Sequence, residues 1–231
     1  MYLDSAVSVL SELQAFDVRA RVFDVSETDA ASDIALLSAE ERSRASKFQR
    51  ISDRVSFVAA RAELRRNIGA ELGMPAERVP IGVSLHGRPT LPAGMADVLD
   101  FNVTHSTSRV AIALSRGRRV GIDIESVLAL RDLDLLIQEV MGPRERNRLA
   151  SLSGMARTRA FYECWTRKEA LVKAMGEGIR YPVASIDLPI LPVDGRVALP
   201  EAEMQVANGR SWLVWTTWLS EEFVLSIAVG E

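Results

Sequence analysis

The sequence predicts an α+β fold, because two long stretches of helical apolar spacing alternate with short runs of two-residue period, and both patterns recur in each half of the chain. The first helical stretch runs from Asp53 to Leu72, where Val55, Val58, Ala62, Ile68 and Leu72 fall mostly three or four apart. Gly73 and Pro75 end it. Ahead of it, Ser38 with Glu41 three residues on has capping-box spacing, so a shorter helix starts there and carries Arg42, Arg44 and Lys47. From Ile81 to Gly94, glycines and prolines interrupt every longer pattern, and HGRPTLP reads as a loop or a short strand pair. Three strands follow: FNVTH at 101–105, RVAIALS at 109–115 and RRVGIDIE at 118–125, with Ser115, Arg116 and Gly117 as the turn between the last two. The second helical stretch spans Arg157 to Met175 and stops at Gly176 and Gly178. From Arg196 onward the tail alternates in short strand-like pieces. The chain divides near 1–115 and 116–231, with helix and strand in each part.

The composition belongs to a globular protein that folds on its own core: of 231 residues, 48% are hydrophobic and 26% charged. With 28 Lys plus Arg against 31 Asp plus Glu, the formal charge of −3 offers no positive field for DNA or RNA, and no nucleic-acid partner is expected. A single cysteine, Cys164, excludes an intrachain disulfide and a cysteine-built zinc site, and suits a reducing compartment. No Lys or Arg precedes Arg19, so the positive region of a secretory signal is missing. Apolar runs such as VAIAL fall far short of the roughly 18 residues of a membrane span. The expectation is a soluble cytoplasmic protein. The sequence has no GxGxxG, GxxxxGK[ST], GxSxG, HExxH or CxxC, so the common nucleotide folds, serine hydrolases and zinc peptidases lack their signatures.

Chemistry concentrates in a few places. In VGIDIE the strand period puts Asp123 and Glu125 on one face, about 6.6 Å apart along the strand, with Ile122 and Ile124 toward the core. Such a pair can share Mg²⁺, which takes one or two carboxylates and keeps its other positions for water and phosphate oxygens; taken alone, it is more often an ordinary solvated edge. On the helix FYECWTRKEALVKAMGEG, an apolar stripe contains Phe161, Cys164, Trp165, Leu171, Val172 and Met175, with Lys168 inside it and Glu169 and Lys173 on its border. A lysine in an apolar stripe must reach a carboxylate, a phosphate or solvent. Glu169 and Lys173 alone could be a simple i,i+4 surface pair, and Glu163 and Glu177 fall on the solvated side. His105 ends the FNVTH strand beside Thr104, where its ring could hold a phosphate or shuttle a proton, or serve structure alone. Arg88, in the HGRP loop, offers a planar fork for phosphate or is an exposed turn charge. Trp212, Trp215 and Trp218 mix strand parities and read as core or interface aromatics.

Taken in order, HGRP at 86–89, FNVTHS at 101–106, VGIDIE at 120–125 and WTRKEALVKAMGEG at 165–178 resemble the signature series of the Sfp-type 4′-phosphopantetheinyl transferases. The resemblance implies two similar α+β halves forming a pseudo-dimer, with coenzyme A in the cleft. It implies an enzyme that moves the phosphopantetheine arm of coenzyme A onto a serine of an apo acyl or peptidyl carrier protein, releasing 3′,5′-ADP. A monomer is expected. Position by position, it makes Asp123, Glu125 and Glu169 the ligands of Mg²⁺, with Mn²⁺ as the alternative ion. Glu169 also becomes the acceptor of the serine proton, and Lys173 the group that stabilises the departing ADP oxygen. His105 and Thr104 match residues at the diphosphate, and Lys168 the lysine of the KEA motif near the phosphates. Arg88 matches the basic residue that holds the 3′-phosphate, and Arg44, Lys47 and Arg61 supply further coenzyme A contacts. Two rivals remain at this level: a catalytically silent carrier-binding module of the same fold, and a Mg²⁺-dependent phosphodiester hydrolase.

Overall fold

The computed structural model describes residues 13–178, 181–186, 188, 205–207 and 210–230. Strand β1 (Val18–Asp24) leads into helices α1 (Glu27–Asp33), α2 (Ala39–Ala45) and α3 (Ile51–Leu72), then the short pair β2 (Gly82–Val83) and β3 (Pro89–Thr90). Strands β4 (Leu99–Ser106), β5 (Arg109–Arg116) and β6 (Val120–Ser126) follow, then helices α4 (Leu133–Val140), α5 (Pro143–Ala150) and α6 (Gly154–Met175), and strands β7 (Gln205–Ala207), β8 (Arg210–Trp218) and β9 (Phe223–Gly230).

The local signals act as their chemistry requires. Ser38 Oγ accepts from the Glu41 N–H at 3.2 Å and Glu41 Oε2 from the Ser38 N–H at 2.9 Å, which satisfies two otherwise orphaned donors and starts α2. That helix ends at Ala45, so Lys47 sits in the following turn rather than on the helix. Both 22-residue helices, α3 and α6, stop where a glycine takes the left-handed conformation, Gly73 at φ +66° and Gly176 at φ +83°. The glycine- and proline-rich segment forms the strand pair of its two alternatives, with Gly82 opposite Thr90 and Val83 opposite Pro89. Residues 196–204 of the tail lie outside the described residues.

Among the described residues, two larger antiparallel sheets stand beside that strand pair, ordered β1-β5-β4 and β6-β9-β8-β7. Each half runs strand, long helix, strand, strand: β1, α3, β4, β5 in one and β6, α6, β8, β9 in the other, with the last strand in the middle of the three. Strand parity assigns the layers. Val110, Ile112 and Leu114 of β5 pack with Leu64 and Ile68 of α3, while Ala111 and Ala113 face the other sheet. There they meet Val120, Ile122 and Ile124 of β6, Leu225 and Ile227 of β9 and Leu213 and Trp215 of β8. On the far side of the second sheet, Trp212, Val214, Val224 and Ala228 pack against Phe161, Leu171 and Val172 of α6. The order is helix, sheet, sheet, helix, the layered burial that lets each sheet cover both faces. Among the described residues, no helix is long and apolar enough to cross a membrane.

Candidate active site

The period of β6 that buries Ile122 and Ile124 between the sheets turns Gly121, Asp123 and Glu125 toward α6. Asp123 is 3% exposed. Its Oδ1 accepts from Lys173 Nζ at 2.5 Å and from Thr104 Oγ1 at 3.1 Å, while Oδ2 is buried with no hydrogen-bond partner. Glu125 is half-buried and held at both oxygens, by Trp165 Nε1 at 3.3 Å and Ser106 Oγ at 3.3 Å. Lys173 Nζ also reaches Thr104 Oγ1 at 3.2 Å. Glu169 lies one turn before Lys173 on α6, half-buried and within electrostatic reach of Lys173 and Asp123. His105 is exposed at the end of β4, where desolvation and the charge of Lys173 hold its ring below the ordinary histidine range, against the pull of Asp53. Thr104 and His105 come from the first half, and Asp123, Glu125, Glu169 and Lys173 from the second.

Burial raises all three carboxyls, because each would be charged in a low-dielectric cleft. Asp123 is pushed up by desolvation, with the ammonium of Lys173 opposing. Glu125 is pushed up to about 7 by desolvation and then by the charge of Asp123. Glu169 is raised by burial, with Lys173 opposing and Asp123 adding. Mutually repelling, desolvated carboxylates with one orphaned oxygen fit a hard divalent cation. Among the described residues, no three ligating side chains stand in closed metal-binding geometry. Mg²⁺ needs only one or two carboxylates and fills its other positions with water and phosphate oxygens.

This electrostatics sets an expected pH dependence. A carboxyl raised to about 7 binds its proton more tightly folded than unfolded, so its contribution to stability is present at low pH and lost as pH rises through about 7. A bound cation favours the charged form instead, and must compete with that proton. Mg²⁺ is therefore expected to raise the melting temperature more at pH 8 than at pH 5.5, as read by scanning calorimetry; an equal gain at both would remove Glu125 from the cation site.

The structure brings together the side chains of six of the predicted residues, namely Thr104, His105, Asp123, Glu125, Glu169 and Lys173, and gives the side chains of Lys168 and Arg88 other partners. Lys168 is 0% exposed, with Nζ 2.5 Å from Glu145 Oε2 and donating to the carbonyls of Val140 at 2.8 Å and Val183 at 3.2 Å. Glu145 also accepts from the Gly142 N–H, Cys164 Sγ and the Leu188 N–H. Where the resemblance implies a place near the phosphates for Lys168, the structure shows a carboxylate on α5 as the one realised of the three ways to satisfy a lysine in an apolar stripe. Breaking this enclosed pair leaves an uncompensated charge, so Glu145→Ala is expected to cost about 3–5 kcal/mol in urea unfolding. The coenzyme A affinity of the protein that remains folded is expected to be unchanged.

Arg88, expected at the 3′-phosphate, is held here by protein groups. Its Nη2 donates to Asp100 Oδ2 at 2.7 Å, Phe101 O at 2.8 Å and Val120 O at 2.9 Å, and its Nη1 to the carbonyl of Lys173. The guanidinium staples β4, β6 and the last turn of α6, where a cation meets the helix carbonyls favourably, instead of standing open to a 3′-phosphate. Arg44 and Arg61 lie over the ring of Phe57, at 5.3 and 5.4 Å from its centroid, and line a pocket of about 360 Å³. Arg61 Nη1 is buried without a hydrogen-bond partner, although Glu41 Oε1 stands 3.8 Å away. Lys47 is exposed. Glu163, expected in solvent, is buried and accepts from Trp218 Nε1 at 2.5 Å. Trp212, Trp215 and Trp218 are buried, as expected of core aromatics. Sequence reasoning did not find Ser106 and Trp165 as the donors that orient Glu125. Ser106 shares strand parity with Thr104, and that was its available signal.

Acidic side chains and an ammonium of the second half meet a hydroxyl of the first at the joint between them, and similarity to known proteins gives the class, a transferase. Residues 119–228 match the 4′-phosphopantetheinyl transferase superfamily, and residues 23–116 match the family described as 4′-phosphopantetheinyl transferase, N-terminal. The 4′-phosphopantetheinyl transferase HetI of Nostoc sp. is 33% identical over 197 residues, which cover 85% of this chain and 79% of that relative. The 4′-phosphopantetheinyl transferase of Bacillus subtilis is 27% identical over 166 residues, covering 72% and 71%. Among solved structures, a holo-(acyl-carrier-protein) synthase from Bacillus anthracis in complex with coenzyme A aligns with a TM-score of 0.36 and 24% identity, over 48% of this chain and 94% of that one. The chain belongs to the 4′-phosphopantetheinyl transferase family, and it is an enzyme.

Proposed function

We propose that this enzyme transfers the 4′-phosphopantetheine group of coenzyme A to a serine hydroxyl of an apo acyl or peptidyl carrier protein, releasing 3′,5′-ADP. The observation that carries this reading is the meeting of Asp123, Lys173 and Thr104 at hydrogen-bond distance across the two halves, with Glu125 and Glu169 beside them. In the reaction the serine oxygen bonds to the β-phosphorus, and the bond from that phosphorus to the oxygen bridging to the α-phosphate breaks. The electron pair leaves on the phosphate of 3′,5′-ADP, and the serine proton leaves with a base. Glu169 is that base, directly or through one water; its raised carboxyl is better matched to a hydroxyl proton than an ordinary glutamate. Lys173 turns its ammonium from Asp123 toward the departing oxygen, and Thr104 and His105 hold the diphosphate from the opposite wall.

Asp123, Glu125 and Glu169 would hold Mg²⁺, or Mn²⁺ in its place. The cation supplies neutralisation of the diphosphate charge. Arg44, Arg61 and Lys47 bind the phosphorylated nucleotide end of coenzyme A; the buried Nη1 of Arg61 is a donor awaiting an acceptor. The halves 1–115 and 116–231 act within one chain as a monomer, and the enclosed thiol of Cys164 suits the reducing cytoplasm. The test is an intact-mass assay with the protein, coenzyme A, Mg²⁺ and a panel of apo carriers, repeated with excess chelator. A carrier that gains one phosphopantetheine only when metal is free supports the transferase. Carriers that stay apo while coenzyme A still binds would leave a silent carrier-binding module, and free phosphopantetheine without a modified carrier would mean hydrolysis.

A further inference from the structure

Strands β4 and β6 belong to different sheets, yet they meet rung for rung through side chains. Asp100 Oδ2 accepts from the Val120 N–H at 2.8 Å, Asn102 Oδ1 from the Ile122 N–H at 3.0 Å and Ser106 Oγ from the Ser126 N–H at 3.0 Å. Each rung joins residues twenty apart in sequence. A constant offset means the strands run parallel, with side-chain oxygens of β4 standing where backbone carbonyls would stand in a parallel ladder. The other edge of β6 is paired with β9, so these N–H groups are the ones a strand edge leaves over, and burial requires that they be paired.

One rung is different. The register sets Thr104 against Ile124, but Thr104 gives its hydroxyl to Asp123 Oδ1 at 3.1 Å instead. The Asp123 carboxylate thereby takes the place of that rung, held by a hydroxyl of β4 and the ammonium of Lys173. Ser106 serves two partners, accepting from the Ser126 N–H and donating to Glu125 Oε2 at 3.3 Å. The residue types follow the task at each rung. Asp100 is paired with Arg88 and Arg119, at 2.7 and 3.7 Å. Asn102, 5% exposed, supplies an acceptor without adding a further charge next to Asp123.

We propose that Asn102, with Asp100 and Ser106, is a positioning residue of the transfer reaction: the side-chain ladder from β4 to β6 fixes the spacing of the two halves and thereby the aim of the Asp123 and Glu125 carboxylates. This rests on the proposed function for the meaning of the aim, and on the hydrogen bonds alone for the ladder. Groups that orient metal-binding carboxylates without touching substrate typically alter metal affinity or rate by about 10- to 100-fold when removed.

The test uses the full chain. Asn102→Leu keeps the bulk of the side chain and removes the acceptor; Ser106→Ala removes a rung at the more open end of the ladder, and Ser106→Thr keeps the hydroxyl. Three quantities are read: kcat with an apo carrier, Mg²⁺ half-saturation, and Mn²⁺ binding followed by electron paramagnetic resonance in the presence of coenzyme A without carrier. Asn102→Leu and Ser106→Ala are each expected to lower kcat and weaken Mn²⁺ binding by about tenfold or more, with Ser106→Thr within about threefold of the parent protein. A loss of melting temperature with unchanged kcat and Mn²⁺ affinity would overturn the proposal, since a purely structural rung would move stability alone. If Asn102→Leu fails to fold, the Ser106 pair decides. If the parent protein transfers nothing, the functional reading fails, and Mn²⁺ binding still judges the ladder by itself.

Discussion

Glu169→Gln is expected to leave a folded protein whose transfer rate is lower by about 10²- to 10⁴-fold, the range a positioned general base contributes. Glutamine keeps the size of the side chain, and the position is half-buried beside a helix core supplied by Ala170, Leu171 and Val172, so stability is expected to change little. What is lost is the capacity to take a proton and to carry charge toward a cation. Asp123→Asn makes the companion case. The amide can still accept from Thr104, but it no longer attracts Lys173 or offers the orphaned Oδ2 to a metal. Because the Lys173 side chain is 28% exposed, its ammonium can turn to water when Asp123 is neutralised, and the fold survives. Both variants are to be compared with the parent by the rate of carrier modification under saturating Mg²⁺, with melting temperature in parallel. Near-normal turnover in either would remove that residue from the chemistry.

The second large effect comes from a residue with no chemistry of its own. A Cβ at Gly121 would stand 2.0 Å from the carbonyl oxygen of Ala170 and 2.4 Å from the nitrogen of Ala174. Both are backbone atoms of α6, so no side-chain rotation can make room. Gly121→Ala therefore has to push β6 and α6 apart. Overpacking of this kind typically costs about 1–3 kcal/mol and occasionally more, and contacts this short belong at the upper end. The same displacement separates Asp123 and Glu125 on the strand from Glu169 and Lys173 on the helix, which flank the points of contact. Transfer is expected to fall by at least about 10²-fold, since misplacement near 1 Å suffices for that. Gly82→Ala is the control: its nearest neighbour, the Thr90 carbonyl, is 3.9 Å away. If the two alanine variants melt and turn over alike, the close approach is not what sets the site.

The elements legible in the sequence were those whose periods are long and whose ends carry punctuation. Helices α3 and α6 announced themselves by spacing and by the glycines that stop them, and β4, β5 and β6 by alternation that the two sheets bury as the parity requires. By contrast, α1, with the sequence ETDAASD, has too few apolar residues to show a period, while β1 does carry the two-residue alternation of a half-buried strand, with Val18, Ala20 and Val22 toward the core and Arg19 and Arg21 outward, a signal that was available and was not read. For the site, local pattern placed Asp123, Glu125, Glu169 and Lys173 on the right elements and on the right faces. It could not choose partners that come from elsewhere in the chain. Lys168 in its apolar stripe was equally satisfied by a phosphate or by a carboxylate, and the approach of α5 with Glu145 decides between them. Arg88 posed the same question in a loop, and the ends of β4, β6 and α6 answer it. The ladder was half visible: alternation put Asp100, Asn102, Thr104 and Ser106 on one side of a strand, but only packing supplies the second strand.

The connection from β5 to β6, residues 117–119, is all that links the two halves along the backbone at the joint where their polar groups interlock. A tether this short makes the halves meet as neighbours rather than as strangers in solution, an effective concentration in the millimolar range or above. Neither half alone carries a complete site, since Thr104 and His105 sit before the tether and the carboxylates after it. Cutting it would turn one catalyst into two pieces, each inert alone, whose joint activity falls with the square of their dilution wherever they associate weakly, so the three residues between the sheets act as the molecule's own insurance against being diluted out of function.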